Sequence, residues 1–257
     1  MAVAPEPSLD LVSIEALDKK LPSDSLYIFT DIETESLKAK TLLQIAAVTS
    51  EGQQFNNFVN PKIKLSESCT NFSGFYFYNN ELYRSGLRLR SFPIQKALQN
   101  FTNWISSFNK PVVLVFHNGF TFDCEVLARF LIRFNIPIPA NLITVADTLP
   151  YVRIHLKSPE ITDHKLTTLA RYFSIHYELA HDALSDSLTL KSVSDKLITL
   201  HNTTFREIFK ESCRPFSDYT AKILAGIPIP PLKKKTKKTK NSQKAKTKDE
   251  KQTKTQK

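Results

Sequence analysis

The chain has 257 residues, 41% of them hydrophobic, and a formal net charge of +10. That length and apolar share suffice for one domain with a full core, and with no run near 18 apolar residues no membrane span is expected. The charge is uneven: residues 233–257 hold twelve Lys against Asp249 and Glu250, whereas residues 1–232 balance at 23 basic and 23 acidic.

Residues 1–24 read as an N-terminal extension that carries Pro5, Glu6 and Pro7 and lacks the basic, apolar pattern of a signal peptide. Leu26–Phe29 is apolar and is followed by Thr30, which predicts a buried strand. Side chains alternate along a strand, so Asp31 and Glu33 project to one face and Ile32 to the other. Two carboxylates that close resist joint ionisation. A shared dication would remove the repulsion, and carboxylate oxygen suits Mg²⁺ or Mn²⁺; two solvated acids in a turn are the alternative. Leu42–Thr49 and Phe55–Val59 predict two further strands, the link between them including Ser50-Glu51-Gly52-Gln53.

Between Leu65 and Arg90 the pattern lapses. Asn71 to Tyr78 is strongly aromatic, and Arg84, Arg88 and Arg90 follow. Such aromatics either stack on unpaired bases, with arginines on the backbone, or plug the core. A helix is predicted over Pro93–Phe108 and a central strand over Val112–Phe116. His117-Asn118-Gly119 breaks that strand. Thr121 then opens a helical pattern through Phe122, Val126, Leu127, Phe130 and Leu131, with Asp123 in its first turn. An acid there complements the helix dipole, which accounts for Asp123 but not for the strand, break and aromatics arriving in this order.

A strand near Ile143–Thr148 and helices near Leu166–Phe173 and Ala183–Leu200 complete the set. In the last helix Asp186 shares a stripe with Leu190, Val193 and Leu197, so it faces the core. A carboxylate there needs a partner. His181 lies about 140° round an ideal helix from Asp186, so the two meet in one site only if His181 precedes the regular helix. Of the other histidines only His117 has a comparable relation to an acid; His155, His164, His176 and His201 do not. Antiparallel strands followed by alternating helix and strand predict an α/β domain with a mixed sheet.

Residues 227–257 read as a Pro-rich hinge, Ile227 to Pro231, and a disordered tail with no aliphatic residue beyond Leu232 except Ala245. The tail's lysines suit nucleic-acid binding or nuclear import. Cys69, Cys124 and Cys213 are scattered, which suggests neither a disulfide framework nor a zinc site. The expected location is intracellular, in nucleus or cytosol, so the sequons at Asn71, Asn100 and Asn202 read as chance.

The order of these motifs resembles the DEDDh branch of the 3′–5′ exonuclease superfamily, which includes proofreading subunits and the three-prime repair exonucleases. The likeness covers roughly residues 25–200. Asp31 and Glu33 match its first motif, Asp123 the second, Asp186 the last acid, and His181 the histidine five residues before it. A sister branch carries tyrosine four residues before the last acid; here that position is Asp182. The resemblance implies a ribonuclease H-like exonuclease domain over 25–226, with a mixed five-stranded sheet flanked by helices. It implies two Mg²⁺ or Mn²⁺ ions, one on Asp31, Glu33 and Asp186 and the other on Asp31 and Asp123. His181 would take a proton from the attacking water, and Thr34 and Asn118 would position the terminal nucleotide. Ser73-Gly74-Phe75 is similar to a triplet that lines the substrate groove in relatives. Glu35 departs from the glycine often found there and leaves substrate preference open.

The expected activity is removal of nucleoside 5′-monophosphates from 3′ ends, with single-stranded DNA favoured. The alternatives are an RNA-trimming exonuclease and a catalytically silent nucleic-acid-binding module on the same fold.

Overall fold

The structure, a computed structural model, describes residues 20–177 and 181–228. The Lys-rich tail, most of the N-terminal extension and part of the Pro-rich hinge lie outside the described residues. The strands, in chain order, are β1 (Leu26–Thr34), β2 (Leu42–Thr49), β3 (Gln54–Asn60), β4 (Phe75–Tyr78), β5 (Glu81–Arg84), β6 (Leu87–Leu89), β7 (Ser91–Pro93), β8 (Val112–Phe116), β9 (Leu142–Asp147) and β10 (Cys213–Pro215). The helices are α1 (Glu67–Ser73), α2 (Ile94–Ser106), α3 (Asp123–Arg133), α4 (Thr148–His155), α5 (Leu166–Tyr172), α6 (Ala183–His201), α7 (Phe205–Phe209) and α8 (Phe216–Leu224).

The main sheet has the order β10-β9-β8-β1-β2-β3-β7. β1, β8 and β9 run parallel, and β2 pairs antiparallel with both β1 and β3. The five expected strands form its centre, and the expected count is corrected to seven by two three-residue edge strands. Both end in proline, Pro93 and Pro215, which cannot donate to a further neighbour and so suits an edge. Strands that short carry no readable period.

Alternation along β1 and β8 divides the core. Ile28, Ile32, Val112 and Leu114 face a layer that includes Leu98, Phe101, Leu127 and Phe216. Tyr27, Phe29, Val113 and Val115 face Leu169, Leu190, Leu197 and Phe209. Leu21, ahead of the expected domain start at 25, is fully buried in the second layer. The Lys20 carbonyl accepts from Thr144 Oγ1 at 2.5 Å, and that of Leu21 from Arg206 Nε at 3.0 Å.

The stretch without a readable period folds into α1 and a second sheet, β4-β5-β6. Its two tight turns are Asn79-Asn80 and Ser85-Gly86, all four with positive φ, which is the backbone that two-residue hairpins require. Phe75 and Leu82 pack with Leu43, Leu65 and Cys69 in a core of their own. None of the described helices is long and apolar enough to cross a membrane.

Candidate active site

The acids gather at the carboxyl end of β1, between elements from opposite faces of the sheet. β1 pairs with β8 only as far as Phe29, opposite Val115. Asp31 and Glu33 follow, on the same side as Phe29, where α6 packs. Ser187 of α6 donates to the Ala46 carbonyl of β2 at 3.2 Å, and Leu190, Val193 and Leu197 hold the helix on the sheet. Asp186, one turn into α6, is thereby brought to β1. Oxygens of Asp31, Glu33 and Asp186 lie within 4.8 Å of one another.

Asp123 arrives from the other face as the first residue of α3. It falls outside that three-way group, yet among its charged neighbours it raises the Asp31 carboxyl most. Burial raises the Asp123 carboxyl, against which its own backbone N–H and that of Ile32 favour the ionised form.

Burial dominates the protonation of this cluster, and mutual repulsion adds to it. Asp31 is pushed well above the usual carboxylate range, first by burial and then by Asp123, Asp186 and Glu33. Burial raises Glu33 to about 8, Asp123 to about 7 and Asp186 to about 6. Arg84 offsets the charge of Glu33 and Asp186 only in part. A hard dication with oxygen ligands fits these acids.

His181 precedes the helix, as a shared site requires: α6 begins at Ala183 with Asp182 as its cap. The Asp182 carboxylate accepts from the N–H groups of Leu184 and Ser185 at 3.1 and 3.0 Å. His181 itself has φ 63°, in the left-handed region, and against the burial that raises Asp186 its N–H favours the ionised carboxylate. Its ring centroid is 4.1 Å from that of Phe72, an aromatic that is 70% exposed. Burial, and then the Arg84 charge, lower the His181 pKa and favour the neutral ring.

Three side chains around the acids have roles that sequence reasoning missed. Tyr177 donates its hydroxyl to Asp186 Oδ1, and burial followed by that bond holds the phenol protonated. Arg84 of β5 donates to Asp182 Oδ2 at 2.6 Å and to the His181 carbonyl at 2.9 Å. Gln44 of β2, fully buried, accepts from Ala183 N at 3.1 Å and donates to Asp182 Oδ2 at 3.3 Å. A signal for the cap exists, although the sequence reading passes over it: an aspartate just before an apolar-periodic run starts a helix. Nothing local marks Arg84 or Gln44.

The break after β8 is set by Asp147, at the end of β9. Its buried carboxylate accepts from Asn118 N at 2.8 Å, Phe120 N at 3.3 Å and Leu149 N at 2.9 Å, so it caps α4 and ties down the turn that leads to Asp123. A Cβ on Gly119 would meet Phe116 Cβ at 2.3 Å, which explains the glycine. His117 is spoken for by this scaffold: its ring nitrogens lie 2.7 Å from Thr148 Oγ1 and 2.7 Å from the His164 carbonyl.

The expected substrate contacts divide. Asn118 is exposed, in left-handed backbone, and Thr34 ends β1 beside Glu33. Ser73 closes α1 and donates to the Cys69 carbonyl at 2.9 Å. Gly74 takes the left-handed cap at φ 76°. Phe75 is fully buried and is not available for stacking on a base, which corrects its expected place in the groove: the apolar side of β4 turns it into the small core. Phe72, three residues earlier, is an exposed ring, as is Tyr78. Glu35 accepts from Thr41 Oγ1 at 3.1 Å and Ser66 N at 3.0 Å, so its added charge braces two loops.

Comparison with known proteins agrees with this architecture. The model of the RNase T family, described as exonuclease, matches residues 28–193. Exonuclease DPD1, chloroplastic/mitochondrial, of Arabidopsis thaliana is 33% identical over 194 residues, which cover 71% of this chain and 59% of that protein. The PolC-type DNA polymerase III of Oceanobacillus iheyensis is 27% identical over 182 residues, 68% of this chain but 12% of the polymerase. Among solved structures, E. coli exonuclease I in complex with a dT13 oligonucleotide superposes with a TM-score of 0.55 at 17% identity, covering 68% of this chain and 41% of that one. The chain thus spans well under two thirds of each of these relatives. With its acids and histidine in the DEDDh order on a ribonuclease H-like sheet, the chain belongs to the exonuclease family.

Proposed function

We propose that this chain is a divalent-metal-dependent 3′–5′ exonuclease that releases nucleoside 5′-monophosphates and favours single-stranded DNA ends. The observation that carries the proposal is the convergence of Asp31, Glu33 and Asp186 within 4.8 Å, with Asp123 at the start of α3 raising the Asp31 carboxyl and His181 just ahead of the helix that carries Asp186. Asp31, Glu33 and Asp186 would hold one ion and Asp31 with Asp123 the second. When bound, such ions stabilise developing charge on a phosphoryl group and acidify water.

The chain's own groups supply the rest. His181, kept neutral by burial and by Arg84, would accept the proton of the attacking water at a ring nitrogen. Tyr177 orients one oxygen of Asp186 through its hydroxyl. Phe72, exposed beside the imidazole, offers a face for the terminal base, and stacking of that kind serves any sequence. Thr34, Asn118, Ser73 and Gly74 would serve as polar or small contacts to the substrate. A silent binding module would be expected to lose a ligand, and all five positions are filled. The preference for DNA is supported by a relative named as a DNA polymerase and by structures of E. coli exonuclease I, similar in fold, in complex with dT13 and dA16 oligonucleotides.

The test is digestion of strands of one sequence, as DNA and as RNA, each labelled at the 5′ end, with Mg²⁺ or Mn²⁺. A ladder of 5′-labelled products shortening one nucleotide at a time, faster for DNA, is the expected result. Label released at once as mononucleotide means the opposite polarity, and a faster RNA ladder means the trimming activity.

A further inference from the structure

We propose that Arg84 is a positioning residue for this reaction: its guanidinium fixes the backbone that presents His181, and so couples the β4-β5-β6 sheet to proton transfer. The proposal rests on His181 being the proton acceptor.

His181 needs such a support. A residue with a Cβ at φ 63° occupies sparsely populated backbone that persists only where its surroundings enforce it. Gln44 secures the start of α6 from β2, but it bonds to Ala183 and Asp182, two residues and one residue past the histidine. Arg84 Nη2 takes the His181 carbonyl itself at 2.9 Å, while Nη1 takes Asp182 Oδ2 at 2.6 Å. A planar fork of this kind holds two acceptors in fixed relation, which an ammonium or an amide does not. Because Asp182 also caps α6, the fork sets the His181 peptide relative to the helix that carries Asp186.

The same guanidinium holds the other wall of the imidazole. Arg84 Nε donates to the Ser73 carbonyl at 3.1 Å, at the end of α1, and the group lies 5.0 Å from the Phe75 ring centroid. Phe72, whose ring packs on His181, is the residue before Ser73. One side chain, itself 14% exposed, therefore ties together the peptide bearing the imidazole and the helix end bearing its ring partner. The β5 strand that carries Arg84 is fixed in turn by its two tight turns and the small core. Two of these contacts, to the His181 carbonyl and to Asp182, lead to the imidazole through its own backbone.

The experiment is a double-mutant cycle on purified full-length protein with a short single-stranded substrate and Mn²⁺. Arg84→Gln should lower kcat by about 10- to 100-fold, the scale of a small misplacement of a reacting group, with KM and Mn²⁺ affinity close to wild type. Arg84→Lys should recover only part of the loss, and it provides a folded variant if Arg84→Gln proves unstable. In a His181→Ala background Arg84→Gln should cause little further loss, because residues acting through one another are not additive. Losses that multiply in both backgrounds would overturn the proposal, as would an unchanged kcat. Weakened Mn²⁺ binding would also overturn it, assigning Arg84 instead to the charge of Glu33, which it eases. If His181→Ala alone leaves kcat unchanged, the base assignment fails and this proposal fails with it, visibly in the single mutant.

Discussion

At the scale of single residues, the acids are legible and their supports are not. Asp186 could be placed in the core from its period with Leu190, Val193 and Leu197, and the structure leaves it nearly inaccessible. Arg84 could not be placed, because its partners His181 and Asp182 are 97 and 98 residues away in sequence and touch it only once the small sheet has folded. His181→Ala should slow hydrolysis by roughly 10²–10⁴-fold, the worth of a positioned acid–base group, with Mn²⁺ binding kept. A rate within a few-fold of wild type would remove it from the mechanism.

The acids also dictate how stability responds to pH. Asp31, Glu33, Asp123 and Asp186 all have folded pKa values above their unfolded ones, chiefly through burial. Groups of this kind bind more protons in the folded chain. Their contribution is complete below the ordinary carboxylate range and is lost as pH rises through about 6 for Asp186, about 7 for Asp123 and about 8 for Glu33. Bound dications would take the place of those protons. The rise in Tm on replacing chelator with Mn²⁺ should therefore grow with pH across this window. A rise that shrinks with pH would contradict the reading, and the histidines do not confuse the comparison because they are present in both conditions.

At the scale of elements, the strands β1, β2 and β8 are evident because long apolar runs of β-branched residues leave little choice. The second sheet is not, although Asn79-Asn80 and Ser85-Gly86 are turn signals with a physical meaning. The aromatics flanking them have a mixed pattern, since Phe75 and Leu82 serve a small private core rather than the main one. The edge strands β7 and β10 and the helix α7 are too short to carry a period, whereas α8 carries one in Phe216, Tyr219 and Ile223. Asp147 shows what an element's end can do. Asp147→Ala leaves the N–H groups of Asn118, Phe120 and Leu149 without this acceptor, which should cost at least about 2 kcal/mol of stability. Urea unfolding measures the loss, and activity should fall as well because the turn sets Asp123. A stability change under about 0.5 kcal/mol, the range of an ordinary surface substitution, would show that the turn holds itself.

At the scale of the whole molecule, chemistry and charge are separate. The acids and His181 belong to a stretch whose charges balance, and the excess of +10 belongs to residues 233–257. Those lysines should add affinity for phosphate without touching the reaction. Truncation after Pro231 should weaken nucleic-acid binding at low salt and flatten its salt dependence, by about 0.7 in slope for each single-strand phosphate that the tail no longer neutralises. Turnover at saturating short substrate should stay near that of the full chain. Equal slopes for the two proteins would direct those lysines to another partner, such as the import machinery.

The central claim is that a carboxylate cluster organised around Asp31 drives hydrolysis from the 3′ end with bound dications. It is tested most directly by the rate at which nucleoside 5′-monophosphate is released, followed against Mn²⁺ concentration, for the wild-type chain and for a folded Asp31→Ala protein. The wild type should show no release in chelator and a rate that saturates with Mn²⁺, and Asp31→Ala should release none above background at any concentration. Release by the wild type in chelator, or by Asp31→Ala at a rate near that of the wild type, would contradict the account.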